Sequence, residues 1–210
     1  MSLTLVIGTK RFSSWSLRPW LALKAAGIAF DEIEIPLRQP DTKAVILKHS
    51  PSGKVPLLDH DGIKVWDSLA ICEYLAERFP AARLWPEDVA ARAVARAVAA
   101  EMHSGFMPLR RDCPMDVLSE APMTAISDEV TADLARIDTL WRDCRARFGG
   151  GGAFLFGGFS IADAMYAPVV TRIRTYHLPG GAVASAYCDA IMALPAMREW
   201  IAAAAVTPAE

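Results

Sequence analysis

A proline that enters a strand is a severe constraint, because its nitrogen cannot donate to a sheet ladder and its ring fixes φ. In this chain Val55-Pro56 leads directly into Leu57-Leu58, and Asp61-Gly62 then turns the backbone into Ile63-Lys64-Val65. Apolar and polar residues alternate on both sides of that Asp-Gly step, which is a strong hairpin signal. Asp67 suits the N-cap of a following helix, in which Leu69, Cys72, Leu75 and Ala76 recur at helical spacing until Pro80 ends the run. An X-Pro turn of this kind can use a cis peptide bond, and it leaves the Val55 backbone free to pair with an extended peptide as one more strand would. Asp67-Ser68 supplies a helix N-terminus and a hydroxyl for a carboxylate, while the Asp67 carboxylate suits an ammonium. Residues 50–80 therefore predict a pocket for a small peptide whose end carries both groups.

The flanking pattern surrounds this stretch with a mixed sheet. Residues 3–7 are an almost continuous apolar run ending at Gly8 and read as a buried strand. An apolar helix closed by Gly27 follows, and Pro19 is expected in its first turn, so the helix should begin near Ser16 with Ser13 and Ser14 in the loop before it. Residues 30–35 alternate as a half-buried strand, and residues 41–48 can form a short helix. This order resembles the thioredoxin-like domain, which implies two parallel strands joined by a crossover and two antiparallel ones.

Beyond Pro80 the pattern is helical. Residues 90–110 read as a helix kinked near Ser104 by Gly105 and Pro108, and residues 128–148 as a second long helix. Glycines bracket residues 153–156, Ser160 and Asp163 form a reciprocal capping box, and later helices are predicted over 182–193 and 195–205. The expectation is an α/β domain over residues 1–80, a linker over 81–86 and an all-α domain over 87–210.

Composition removes several classes of function. A chain of 210 residues with a net charge of −2 and no basic stripe argues against nucleic acid or an anionic membrane as partner. No apolar run approaches the roughly 20 residues that cross a bilayer, and Lys10-Arg11 precede any secretory cleavage pattern, so a cytoplasmic location is expected. Cys72, Cys113, Cys144 and Cys188 are scattered, with no Cys-x-x-Cys pair and no zinc-like spacing, which predicts free buried thiols, no metal and no dithiol chemistry.

Lys54-Val55-Pro56 followed by Asp67-Ser68, with Ser13-Ser14 upstream and Phe-Ser-Ile-Ala-Asp at 159–163 downstream, resembles the glutathione transferases in order and spacing over nearly the whole chain. The resemblance implies a thioredoxin-like first domain that binds glutathione as co-substrate, a helical second domain bordering a small hydrophobic electrophile, a homodimer and a role in detoxification. Ser13-Ser14-Trp15 with Arg18 is similar to the serine-type loop of zeta-like members, here of a bacterial kind, in which a Ser-Ser-Cys run precedes an arginine. Trp15 replaces the cysteine associated with isomerase chemistry in that class, which counts against maleylacetoacetate isomerisation.

By the same resemblance Ser13 is the thiolate-stabilising hydroxyl and Ser14 its neighbour, with an ambiguity of one residue between them. Lys54 is implied at the glycyl carboxylate, Val55 and Pro56 along the cysteinyl backbone, and Asp67 and Ser68 at the γ-glutamyl end. Trp15, Met102, His103, Phe106 and Arg110 are implied around the electrophile, although a Met and aromatic stripe is also what plain core looks like. Arg110-Arg111 could instead recognise an anionic acceptor. The alternatives are a non-catalytic binder of glutathione or apolar ligands and a glutathione-dependent isomerase.

Overall fold

The computed structural model describes residues 2–206. Its first half comprises β1 (Leu3–Gly8), α1 (Ser14–Ala25), β2 (Asp31–Ile35), α2 (Thr42–His49), β3 (Leu57–His60), β4 (Ile63–Val65) and α3 (Ser68–Arg78). The four strands form one sheet in the order β2-β1-β3-β4, with β1 parallel to β2 and both other pairs antiparallel. Side-chain alternation assigns the two faces. Leu5 and Ile7 of β1 and Leu58 of β3 pack with Leu17, Leu21, Ile71 and Leu75 of α1 and α3. Val6 and Leu57 point the other way and pack with Ile35 and with Ile46 of α2. At the hairpin Asp61 and Gly62 both take positive φ, 50° and 87°, as a two-residue turn matched to the strand twist requires.

After a short 3-10 turn at Pro80–Ala82 the chain continues as α4 (Val89–Ser104), α5 (Met107–Asp112), α6 (Asp128–Phe148), α7 (Ile161–Tyr176), α8 (Ala182–Ala193) and α9 (Pro195–Val206). The break between α4 and α5 falls at Gly105 and Phe106, close to the predicted kink. A Cβ on Gly105 would lie 2.8 Å from the Glu101 carbonyl oxygen, so glycine is what lets the chain leave the helix there. Helix α7 is buried over most of its length and packs against α1, so both halves share one hydrophobic core. No described helix is long and apolar enough to cross a membrane.

One boundary differs from the sequence expectation. Helix α1 begins at Ser14, not near Ser16, and Pro19 lies in its second turn. The reason is the turn that precedes it. The Phe12 and Ser13 N–H groups both donate to the Thr9 carbonyl, at 3.0 and 2.9 Å, so the chain is already coiled before Ser14. Pro19 then forfeits only the helical bond to the Trp15 carbonyl.

The capping box at α7 is present and enlarged. Asp163 Oδ2 accepts the Ser160 N–H at 2.8 Å and the Ser160 hydroxyl at 2.9 Å, while Oδ1 accepts the Leu155 N–H and the Tyr187 hydroxyl, both at 3.1 Å. Burial pushes the carboxyl up to about 6, with these donors pulling against it. Between the ordinary value of 3.8 and that value the folded chain holds a proton that the unfolded chain releases. The contribution of this group is therefore fully present below the ordinary value and fades as pH rises through about 6. Asp163→Asn is expected to cost about 1–3 kcal/mol and to flatten that part of the stability profile, read by urea denaturation between about pH 4 and pH 7.

Candidate active site

The serine loop leaves the end of β1 and enters α1. Ser13 is turned inward: its hydroxyl donates to Ser16 Oγ at 2.7 Å, and that oxygen also accepts the Gly8 N–H at 3.1 Å. Ser14 Oγ has no hydrogen-bond partner among the described residues and, unlike the hydroxyl of Ser68, is not sealed from solvent. The Trp15 and Ser16 N–H groups likewise lack a backbone acceptor among the described residues. The first turn of α1 thus offers a free hydroxyl, two free donors and the positive end of the helix dipole at one place.

The Val55-Pro56 peptide is cis, and so is Trp66-Asp67. Strand pairing begins at Leu57, opposite Val6, so the Val55 backbone is left without a partner among the described residues. Lys54 is exposed and makes no ion pair with a described residue, although its N–H donates to Ser52 Oγ at 3.2 Å. Asp67 caps α3 by accepting the Leu69 and Ala70 N–H groups at 3.1 and 3.4 Å. Its other oxygen lies 3.0 Å from His103 Nε2 on α4. Ser68 Oγ, at the first position of α3, is buried without a partner among the described residues. A buried hydroxyl in that state carries an unmet desolvation cost.

The helical side of the site is cationic. Arg18 is fully buried, and all three of its guanidinium nitrogens lack a hydrogen-bond partner among the described residues. Its Cζ lies 4.2 Å from the Trp15 ring centroid, and Arg110 Cζ lies 4.8 Å from the same ring. The His103 ring meets that indole edge-on at 5.3 Å. Arg110 donates to the Met102 carbonyl and, at 2.9 Å, to the Gly105 carbonyl, while buried Arg172 donates to the Cys113 and Pro168 carbonyls at 2.8 and 2.9 Å. Burial, then repulsion from Arg110 and Arg172, holds the Arg18 pKa well below the usual arginine value. None of these arginines forms an ion pair with a described residue.

Of the residues anticipated around the electrophile, Trp15, His103 and Arg110 converge at this surface. The Met102 and Phe106 side chains lie in the core, where Met102 contributes its carbonyl to Arg110. The Asp67–His103 contact and the approach of Arg172 were not anticipated, since they join elements that only tertiary packing brings together. Cys72 is fully buried beneath α3 and its thiol is pushed up to about 12 by burial, so it supplies no thiolate here. No cluster of potential metal ligands is present among the described residues.

The chain thus joins a four-stranded mixed sheet of thioredoxin-like order to a helical second half. The family described as "Glutathione S-transferase, N-terminal domain" matches residues 12–78, and "Glutathione S-transferase, C-terminal domain" matches residues 125–203. The chain belongs to the glutathione transferase superfamily, whose co-substrate is glutathione. Glutathione S-transferase omega-2 of Mus musculus is 28% identical over 205 residues, spanning 97% of this chain and 75% of that protein. Maleylacetoacetate isomerase of Rattus norvegicus is 29% identical over 167 residues, spanning 78% of this chain and 74% of the relative. A Burkholderia glutathione transferase homolog solved with bound glutathione superposes with a TM-score of 0.75 at 23% identity, covering 99% of this chain and all (100%) of that one. A bacterial zeta-class maleyl pyruvate isomerase gives 0.75 at 24% identity, covering 98% and 100%. Both structural likenesses establish the fold.

The orphaned hydroxyl of Ser68 generates a sharp expectation. Ser68→Ala removes a buried group that has no partner among the described residues, so thermal stability should hold or rise. Glutathione affinity by titration calorimetry should fall roughly 10- to 100-fold, the equivalent of one charge-assisted hydrogen bond. Unchanged affinity would remove Ser68 from the site.

Proposed function

We propose that the protein is a serine-type glutathione transferase in which Ser14 stabilises the glutathione thiolate. The observation that carries this reading is the unengaged Ser14 hydroxyl at the first turn of α1, beside the free Trp15 and Ser16 N–H groups. Ser13, the residue favoured by motif alone, has its proton committed to Ser16. In this reading the Val55 backbone pairs with the cysteinyl unit of glutathione, Ser68 and the N-terminus of α3 receive the γ-glutamyl carboxylate, and Asp67 faces the ammonium. Exposed Lys54 serves the glycyl carboxylate.

The energetics are sufficient. Lowering a thiol pKa from about 8.5 by one to two units takes roughly 1.4–2.8 kcal/mol. One hydrogen bond to a charged group supplies roughly 1.5–3 kcal/mol. The helix dipole and the buried Arg18 charge add to it in the same direction. The thiolate then attacks an electrophilic carbon, forming a C–S bond. The electron pair of the attacked bond leaves with a departing group or passes into a conjugated acceptor that water protonates.

The acceptor side is walled by Trp15, His103 and Arg110, with Arg18 and Arg172 behind. That wall favours a small electrophile combining apolar surface with a carboxylate over a purely apolar one. It also gives substance to a second reading, reversible thiolate addition across the double bond of an unsaturated carboxylic acid, which is isomerase chemistry. The maleylacetoacetate isomerase relative supports it, and Trp15 in place of the motif cysteine opposes it. Product analysis with an unsaturated dicarboxylate separates the two: recovered conjugate supports transfer, recovered geometric isomer with glutathione regenerated supports isomerisation. A homodimer in the cytoplasm completes the proposal, supported by family membership.

Thiolate absorbance of bound glutathione, titrated against pH, tests the serine assignment. Ser14→Ala is expected to raise the bound thiol pKa by about one to two units and to lower turnover more than affinity. Ser13→Ala should do less. A larger shift in Ser13→Ala moves the assignment by one residue, and no shift in either variant overturns the serine mechanism.

A further inference from the structure

The loop that delivers Ser14 is held from outside the sheet domain. Lys10, four residues upstream, is pinned at every polar group it has. Its N–H donates to Glu34 Oε1 at 3.0 Å, its Nζ donates to Glu34 Oε2 at 2.8 Å and to Glu32, and its carbonyl accepts the Trp200 indole N–H at 2.9 Å. Trp200 belongs to α9, is fully buried, and packs edge-on against Trp20 of α1 at 5.1 Å. Trp20 in turn donates to Glu32 at 2.6 Å.

Arg11, the next residue, is held by the segment between α5 and α6. Its guanidinium makes a bidentate pair with Asp116 at 2.8 Å for each bond, and its carbonyl accepts the Val117 N–H at 3.2 Å. Because Phe12 and Ser13 both hang on the Thr9 carbonyl, residues 9–13 form one tight turn. A shift at Lys10 or Arg11 has no slack to absorb it before Ser14.

Resting on the serine assignment above, we infer that Trp200 and Asp116 are positioning residues for thiol activation, fixing the aim of the Ser14 hydroxyl through the carbonyl of Lys10 and the side chain of Arg11. Neither residue belongs to the peptide pocket, which lies on Val55, Asp67 and Ser68. Loosening the loop should therefore misdirect the hydroxyl while leaving the peptide held. A role confined to stability would lower the melting temperature without moving the thiol pKa.

The test uses the full-length protein with glutathione and a chromogenic aryl halide as probe. Trp200→Phe keeps the aromatic ring and deletes the donor. It is expected to raise the bound thiol pKa by about 0.5–1 unit and to reduce kcat roughly three- to tenfold, with the KM for glutathione within about twofold of the parent. Asp116→Asn, at a partly exposed position, should shift the thiol pKa in the same direction and keeps the proposal open to refutation should Trp200→Phe fail to fold. Glu199→Ala, which breaks only the α9 surface pair with Lys24, should leave the thiol pKa unchanged. If Ser14→Ala raises the thiol pKa while neither Trp200→Phe nor Asp116→Asn does, the positioning role is overturned and the serine reading stands. If neither Ser14→Ala nor Ser13→Ala has an effect, both fall.

Discussion

Everything in this molecule depends on the burial of α1. One side of the helix packs on the sheet and α3, another on α7 and α9, so its residues from Ser16 to Leu23 have almost no contact with solvent. A helix enclosed in this way cannot show an amphipathic period, and its position is set by the cores on both sides. In its first turn Trp15 alone is exposed, at 36%, beside buried Ser14 and Ser16. Apolar packing along the body of α1 thereby converts hydrophobic free energy into a fixed location for a hydroxyl and a dipole.

The same enclosure sets the electrostatics. A guanidinium taken from water without a paired anion is costly, and Arg18 has neither an ion pair nor a hydrogen bond among the described residues. The Trp15 ring face, within 4.2 Å, returns only a fraction of that cost. Arg110 and Arg172 add further positive charge to the same region of a chain whose net charge is −2. Positive charge buried without paired anions is costly in a core, and perturbed groups of this kind cluster at functional sites.

The features legible in the sequence were those encoded locally. Asp61-Gly62 announced the hairpin because only certain residues accept two successive positive φ angles. Ser160 and Asp163 announced the start of α7 because the box closes within one turn, and Gly105 announced the α4–α5 break. The start of α1 was missed because Pro19 suggests a first turn while the Thr9 carbonyl, invisible in a residue pattern, coils the chain earlier. The relation between Ser13 and Ser14 was ambiguous for a similar reason: two adjacent serines look alike until one of them is seen bonded to Ser16. His103, Arg172 and Trp200 lie far along the chain from what they touch, 190 residues in the case of Trp200 and Lys10. Nothing in the spacing marks such partners.

Those distant contacts share a direction. Asp67 at the head of α3 meets His103 of α4, Lys10 meets Trp200 of α9, and Arg11 meets Asp116 before α6. In each case a residue within or beside the glutathione half is held by the helical half. The helical half therefore buttresses the sheet half at several points. A sheet domain standing alone would keep the hairpin beside Val55 and the Asp67 cap of α3, though not the Asp67–His103 contact. It would lose the supports of the serine loop and the arginines that α5 and α7 bring up behind Trp15. Under the proposed function, peptide binding and thiol activation would rest on different parts of the chain, and the second would need both halves together.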